Sequence, residues 1–391
     1  TAKALPRMID AKKIPLSLYI HLPWCTQKCP YCDFNSHEGF SDSYQEPYVT
    51  ALLSDLESQL HGAAGRPLKT IFIGGGTPSL FTGQSIDRLL SGIAKLVPIS
   101  QTAEITMESN PGSAAAGRFR DYRGAGVTRL SIGVQSFDDA ALRQLGRIHT
   151  GKEARRALEW ADKAGFSRWN IDLMHGLPGQ NSARANADIC EAIEFSAGHI
   201  SRYQLTIERN TQFWSAPPPL PDESTLAHIE KAGEESLFEA GFSQYEVSAF
   251  CRPGNESRHN LNYWTFGDYV GIGAGAHGKL TYPDGSIMRT QRTRSPMDYL
   301  NHARSNPFDA PATKAIAVSD LPGEFAMNAL RLRSGVAIDC FAERTGLPEQ
   351  VLKQRAEKAL ESGWLADWES GRFVTTPLGY PFLDSVLATL V

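Results

Sequence analysis

The first half of the chain alternates short apolar runs with stretches whose apolar residues recur at helical spacing. Leu16 to Ile20, Thr70 to Ile73, Ala103 to Met107, Val127 to Val134, Arg168 to Leu173 and Tyr203 to Ile207 read as six strands. Between them, Tyr44 to Leu60, Ile86 to Leu96, Ala115 to Arg123, Gly151 to Ala164 and Ala185 to Phe195 read as helices. Strands alternating with helices imply parallel β/α units joined by right-handed crossovers. Six units are too few to close an eight-stranded barrel. The expected fold is therefore α/β, a partial (β/α)6 TIM-like barrel, with function at the C-terminal ends of its strands.

The alternation breaks at Ala216-Pro217-Pro218-Pro219-Leu220-Pro221, a stiff extended connector. A helix over Ser224 to Ala240 follows, then an aromatic and glycine-rich segment from Arg258 to Lys279. From about Ala312 the pattern is mostly helical, and Gly363-Trp364-Leu365 with Arg372-Phe373-Val374 suggests a small hairpin. Helices followed by a hairpin suggest a winged-helix-like C-terminal domain. The expected division is 12–215 for the barrel, 216–311 for the connector and aromatic segment, and 312–391 for the helical domain. No internal repeat is visible.

Composition narrows the classes. A chain of 391 residues suits two domains or a barrel with an appendage, and its formal charge of -4 gives no electrostatic case for nucleic acid. No apolar run reaches membrane-spanning length and the N-terminus has no signal-peptide pattern, so the expectation is a soluble, cytoplasmic protein.

Six cysteines are present, and three of them crowd into Cys25-Thr26-Gln27-Lys28-Cys29-Pro30-Tyr31-Cys32, directly after the first strand. Such clustering favours metal binding over a disulfide scaffold. Three thiolates on a four-iron cubane leave one iron open to chelate the amino and carboxylate groups of a methionine. The alternatives are a zinc site completed by His21 or His37, or thiols that bind nothing. Zinc usually takes paired C-x2-C units, and the second pair is absent here.

Gly74-Gly75-Gly76-Thr77-Pro78-Ser79 follows the second strand, where glycines let backbone groups approach a ligand. Glu108 and Gln135 end the third and fourth strands, Arg147 follows in the next loop, and Asp172 lies in the fifth strand. A buried Asp needs a partner, and Arg147 is a candidate for it or for a ligand carboxylate. Singly each residue reads as structural; their shared place at strand ends favours function.

These motifs resemble the radical S-adenosylmethionine family, in the branch that holds heme chaperones and the oxygen-independent coproporphyrinogen III oxidase. The resemblance covers nearly the whole chain. It rests on Tyr19-Ile20-His21-Leu22-Pro23-Trp24-Cys25, the glycine loop, Gly133-Val134-Gln135-Ser136-Phe137 and Asp172-Leu173-Met174-His175-Gly176-Leu177-Pro178-Gly179. It implies a 4Fe–4S cluster held by Cys25, Cys29 and Cys32. It also implies S-adenosylmethionine contacts from Tyr19, Gly75, Gly76, Thr77, Glu108, Gln135, Arg147 and Asp172.

Within that branch the heme chaperones fit better. The oxidase carries a further cysteine two residues after its third ligand, where this chain has Phe34. His259-Asn260-Leu261-Asn262-Tyr263-Trp264 matches the H-N-x-x-Y-W motif of the heme-binding side. Heme is then expected at His259, Asn260, Tyr263 and Trp264, with His259 as iron ligand; His277 and Cys251 are alternative ligands. From spacing alone, a packed turn with a satisfied His259 is the favoured reading of the motif. The resemblance further implies respiratory, membrane-associated hemoproteins as acceptors, and a flavodoxin-type or bacterioferritin-type donor. It also implies a homodimer and peripheral membrane contact during delivery. Three functions stay open: a heme chaperone, an oxidase that decarboxylates coproporphyrinogen propionates, and a radical enzyme on another substrate.

Overall fold

The computed structural model describes residues 9–112, 115–195, 197–304 and 310–390. Its strands are β1 Leu16–Leu22, β2 Leu68–Gly75, β3 Ile99–Ser109, β4 Arg129–Gln135, β5 Arg168–His175, β6 His199–Gln204, β7 Ser243–Glu246, β8 Ala249–Cys251, β9 Asp268–Ile272, β10 His277–Thr281, β11 Ile287–Gln291, β12 Ala312–Ala315, β13 Val336–Ala337 and β14 Arg372–Phe373. Its helices are α1 Gln45–Ala63, α2 Gly83–Leu96, α3 Ala115–Gly124, α4 Asp139–Gln144, α5 Gly151–Lys163, α6 Ser182–Glu194, α7 Gln212–Ser215, α8 Glu223–Glu239, α9 Arg258–Trp264, α10 Pro296–Arg304, α11 Leu321–Ala329, α12 Ile338–Thr345, α13 Glu349–Glu361 and α14 Leu383–Ala388.

The β/α alternation is as the pattern predicts. Strands β1 to β6 lie side by side in chain order and pair in parallel. β1 and β4 are buried along nearly their whole length, which is why both read as continuous apolar runs. Helices cover the outer face, several with side-chain caps that set their starts. Thr82 accepts from Ser85 N at α2, and Thr150 with Glu153 forms a capping box at α5. The main core lies between this sheet and the helices.

The sheet extends beyond the six expected β/α strands. β9 adds in parallel to the free edge of β1, with Ile20 opposite Ile272, and β10, β11 and β12 follow antiparallel. At the other edge β8 and β7 follow β6, giving twelve strands in one open sheet. β9 is secured by a buried charge cluster. Asp268 accepts from Arg66 Nη1 at 2.7 Å and from Lys279 Nζ at 2.8 Å, and all three side chains are almost wholly buried. β6 also runs a few residues earlier than the apolar pattern of Tyr203 to Ile207 suggests. It contains His199 and Arg202, both buried, and their polarity hides the strand.

The C-terminal part is mainly helical, with a second core around Phe325, Phe341 and Phe373. The expected hairpin is present in part: Leu365 bridges Thr375, while Phe373 pairs with Val336 rather than with its own arm. Among the described residues no helix is long and apolar enough to cross a membrane.

Candidate cofactor site

The cysteine loop leaves β1 through Pro23 and Trp24. Trp24 is 3% exposed and packs against Tyr44, Tyr48 and Phe81, so it anchors the start of the loop in the core. The loop closes on itself: Cys25 N donates to His37 O at 2.9 Å and His37 N to Pro23 O at 2.7 Å. All three thiols are free and line a cavity of about 530 Å³ at the C-terminal ends of the parallel strands. Each sulfur has its own neighbour. Thr77 Oγ1 donates to Cys25 Sγ at 3.4 Å, Arg147 Nη1 to Cys29 Sγ at 3.7 Å, and Cys32 Sγ lies 3.7 Å from Ser36 Oγ. Burial pushes the Cys25 and Cys32 thiols up, so neither is a ready thiolate without a metal.

Arg147 ties the loops together. Its Nη2 donates to Asn110 Oδ1 at 2.8 Å and to Gly133 O at 2.9 Å, and Asn110 Nδ2 donates to Thr77 Oγ1 at 3.1 Å. A continuous chain therefore runs Cys25–Thr77–Asn110–Arg147–Cys29, joining the loops after β1, β2, β3 and β4. Gly133 leaves the space for it: a Cβ there would sit 3.0 Å from Gln135 Nε2 and 3.2 Å from Asn110 Oδ1. Of the two partners the sequence leaves open for Arg147, Asp172 or a ligand carboxylate, Asp172 is engaged elsewhere. Asp172 instead accepts from Ser131 Oγ at 3.0 Å and Asn170 Nδ2 at 2.6 Å.

Two buried carboxyl groups, Glu108 and Asp172, line the cavity. Glu108 is pushed up to about 8 by burial and then by Asp172, against one backbone donor from Gly75 at 3.2 Å. Burial raises Asp172 as well. Gln135 takes a left-handed conformation, φ 66°, at the end of β4, an uncommon state for a residue other than glycine and one that recurs at ligand sites. Its Oε1 accepts from Tyr203 OH at 2.6 Å.

A second cavity, of about 590 Å³, shares Phe34, Gly75 and Glu108 with the first. Its walls include Tyr19, Tyr263, Trp264 and Tyr269, with Arg289, Arg294 and His277 beside them. Tyr263 and Tyr269 meet edge to face at 4.6 Å, and Arg331 stacks over Trp264 at 4.3 Å.

Comparison with known proteins settles the family. Residues 19–189 match the radical SAM superfamily and residues 318–382 the HemN C-terminal domain. The heme chaperone HemW of Escherichia coli K12 is 48% identical over 95% of this chain and 97% of its own. HemW of Haemophilus influenzae is 45% identical over 95% and 97%, and HemW of Bacillus subtilis is 35% identical over 88% and 92%. This chain belongs to the HemW family of radical SAM proteins. In fold it matches coproporphyrinogen III oxidase (HemN) from E. coli, with TM-score 0.80 over 97% of this chain and 90% of the other, at 20% identity.

Radical SAM membership implies a 4Fe–4S cluster and S-adenosylmethionine, and the cofactor cavity fits both. Three free thiols share its wall, the glycine loop offers bare backbone, and the buried Arg147 Nε has no hydrogen-bond partner among the described residues. Among the described residues, no three His, Cys, Asp or Glu side chains gather into a single-ion site.

Most residues expected from the sequence share this cavity: the three cysteines with Gly75, Gly76, Thr77, Glu108, Gln135, Arg147 and Asp172. Tyr19 faces the second cavity, where its hydroxyl bonds His21 Nδ1 at 3.0 Å. The HemW-family motif residues divide. Tyr263 and Trp264 line the second cavity; His259 and Asn260 line neither. His259 is 1% exposed, with Nδ1 2.7 Å from Thr70 Oγ1 and Nε2 2.8 Å from Tyr263 OH, and burial pushes its pKa down to about 3. Both nitrogens are taken, which is the packed-turn arrangement rather than an open iron ligand. The sequence reading gave no site role to Asn110, Gly133 or Tyr203: Gly133 opens a quoted motif and Tyr203 an expected strand, but their roles depend on strands distant in sequence.

Proposed function

We propose that this chain is a heme chaperone: it binds heme in the second cavity and passes it to an acceptor hemoprotein, with the adjoining cofactor site controlling the exchange. The observation that carries this reading is the pairing of two cavities that share Phe34, Gly75 and Glu108. One is lined by thiols and backbone. The other is lined by aromatic rings together with Arg289 and Arg294, which suits an aromatic dicarboxylate with a metal centre. The HemW relatives, matched over nearly their whole length, support the same function.

In this reading Cys25, Cys29 and Cys32 hold the cluster. Gly75, Gly76, Thr77, Glu108, Gln135, Arg147 and Asp172 bind S-adenosylmethionine, and Tyr19 stands between it and heme. A reduced cluster in that place supplies one electron to the sulfonium. The protein's own part is positional. Thr77 and Arg147 donate towards the sulfurs, and Arg147 Nε and the Glu108 carboxyl offer a donor and an acceptor to a zwitterionic ligand. The acceptors follow the family expectation of respiratory, membrane-associated hemoproteins, and the donor that of a flavodoxin or bacterioferritin. The chain then works as a cytoplasmic protein, as a dimer, touching the membrane only during delivery.

The test titrates heme into anaerobically reconstituted protein, then adds a heme-free acceptor and follows the acceptor's absorption. Saturable heme binding and net transfer are expected. Vinyl product from coproporphyrinogen, with no transfer, would instead make the chain an oxidase.

A further inference from the structure

We propose that His277 supplies the axial imidazole to heme in the second cavity and that Arg294 at its rim receives a propionate. This rests on the heme-binding reading above and names the groups that would hold the ligand.

Iron in a porphyrin needs a donor lone pair aimed at the face of the ring. Two histidines line the second cavity, His21 and His277. His21 is buried and spent: Nδ1 bonds Tyr19 OH at 3.0 Å and Nε2 bonds Asn35 O at 2.8 Å. His259 lies behind the wall with both nitrogens engaged. Cys251 sits on β8, at the opposite edge of the sheet from β9 and β10. His277 differs from all three. It opens β10, is exposed, and neither ring nitrogen makes a hydrogen bond among the described residues.

The charges around it point the same way. Arg289 and Arg294 lie near enough to His277 to add to burial in keeping its imidazole neutral, the form that ligates iron. Arg289 is already engaged with Tyr269 OH at 2.8 Å and Glu324 Oε2 at 2.5 Å. Arg294 is exposed and among the described residues its side chain bonds through Nε, at 3.4 Å to Asn35 Oδ1, so its two terminal amino groups remain for a carboxylate in fork geometry. Tyr263, Trp264 and Tyr269 line the same cavity and offer aromatic surface to the ring.

The experiment titrates heme into wild type, His277→Ala and Arg294→Gln, reading absorbance and EPR, with cosubstrate-dependent cluster EPR as the check on folding. His277→Ala should lose the imidazole-ligated spectrum and at least about tenfold in affinity, since even outer partners of a metal ligand are worth that much. Added imidazole should restore the spectrum. Arg294→Gln should weaken binding several-fold with the spectrum unchanged. If wild type binds heme while His277→Ala keeps its spectrum and affinity, or changes without rescue by imidazole, this assignment is overturned and the heme reading stands. If wild type binds no heme, the heme reading itself fails.

Discussion

Gly76→Ala puts the packing of the cofactor cavity to the test. The glycine loop and the cysteine loop touch through backbone: Gly76 N donates to Leu22 O at 2.9 Å and Thr77 N to Trp24 O at 2.7 Å. A Cβ on Gly76 would sit 2.5 Å from Trp24 O and 2.8 Å from Trp24 C, about 0.5 Å inside the closest approach of 3.0 Å to that oxygen. Neither side can yield cheaply, because the obstacle is main chain and Trp24 is itself wedged among Tyr44, Tyr48 and Phe81. Overpacking of this kind costs about 1–3 kcal/mol, and each strained backbone hydrogen bond adds about 1 kcal/mol. A loss of about 2–4 kcal/mol is expected in urea unfolding, with reduced iron content, since Cys25 follows Trp24 directly. Wild-type stability together with full iron loading would refute the idea that this contact sets the spacing of the two loops.

Asn110→Ala leaves Arg147 Nη2 with Gly133 O alone and releases Thr77, so S-adenosylmethionine affinity, read from the cluster EPR signal, should fall roughly tenfold, as about 1.4 kcal/mol implies. Glu108 has its folded pKa raised to about 8, so ligand-free protein binds that proton more tightly when folded. Its contribution is full below the ordinary value of 4.5 and is lost as pH rises through about 8. The thermal midpoint of Glu108→Gln relative to wild type should therefore climb between about pH 5 and pH 8; a constant offset would contradict the assigned burial. Asp268→Ala strands Arg66 and Lys279 as buried unpaired cations and should cost about 3–5 kcal/mol in denaturant unfolding; a loss below about 1 kcal/mol would show the cluster relaxing into solvent.

The parallel strands β1 to β5 were legible because each carries a largely buried stretch in which apolar residues predominate, such as Ile71-Phe72-Ile73 in β2. β6 and β9 were not, for a shared reason: each carries charged or imidazole groups satisfied inside the protein. His199 bonds Asn170 at 2.5 Å and Tyr245 at 2.9 Å, and Asp268 holds Arg66 and Lys279. A hydropathy pattern scores such residues as surface. The cofactor cavity was readable where strand ends and close-spaced cysteines mark it. The link through Asn110 and Gly133 was not, because it is built from four separate loops that only the folded sheet brings together. His259 is the opposite case. Its motif is conspicuous in the sequence, yet the ring bonds Thr70 and Tyr263 and so stands behind the cavity wall.

The most direct test of the account is EPR of the anaerobically reconstituted, reduced protein with and without S-adenosylmethionine. Four irons per chain, with a cluster signal that shifts when the cosubstrate is added, is the expected result. A chain that assembles no four-iron centre, or one whose signal is indifferent to S-adenosylmethionine, would contradict the assignment of Cys25, Cys29 and Cys32 and the cavity built around them.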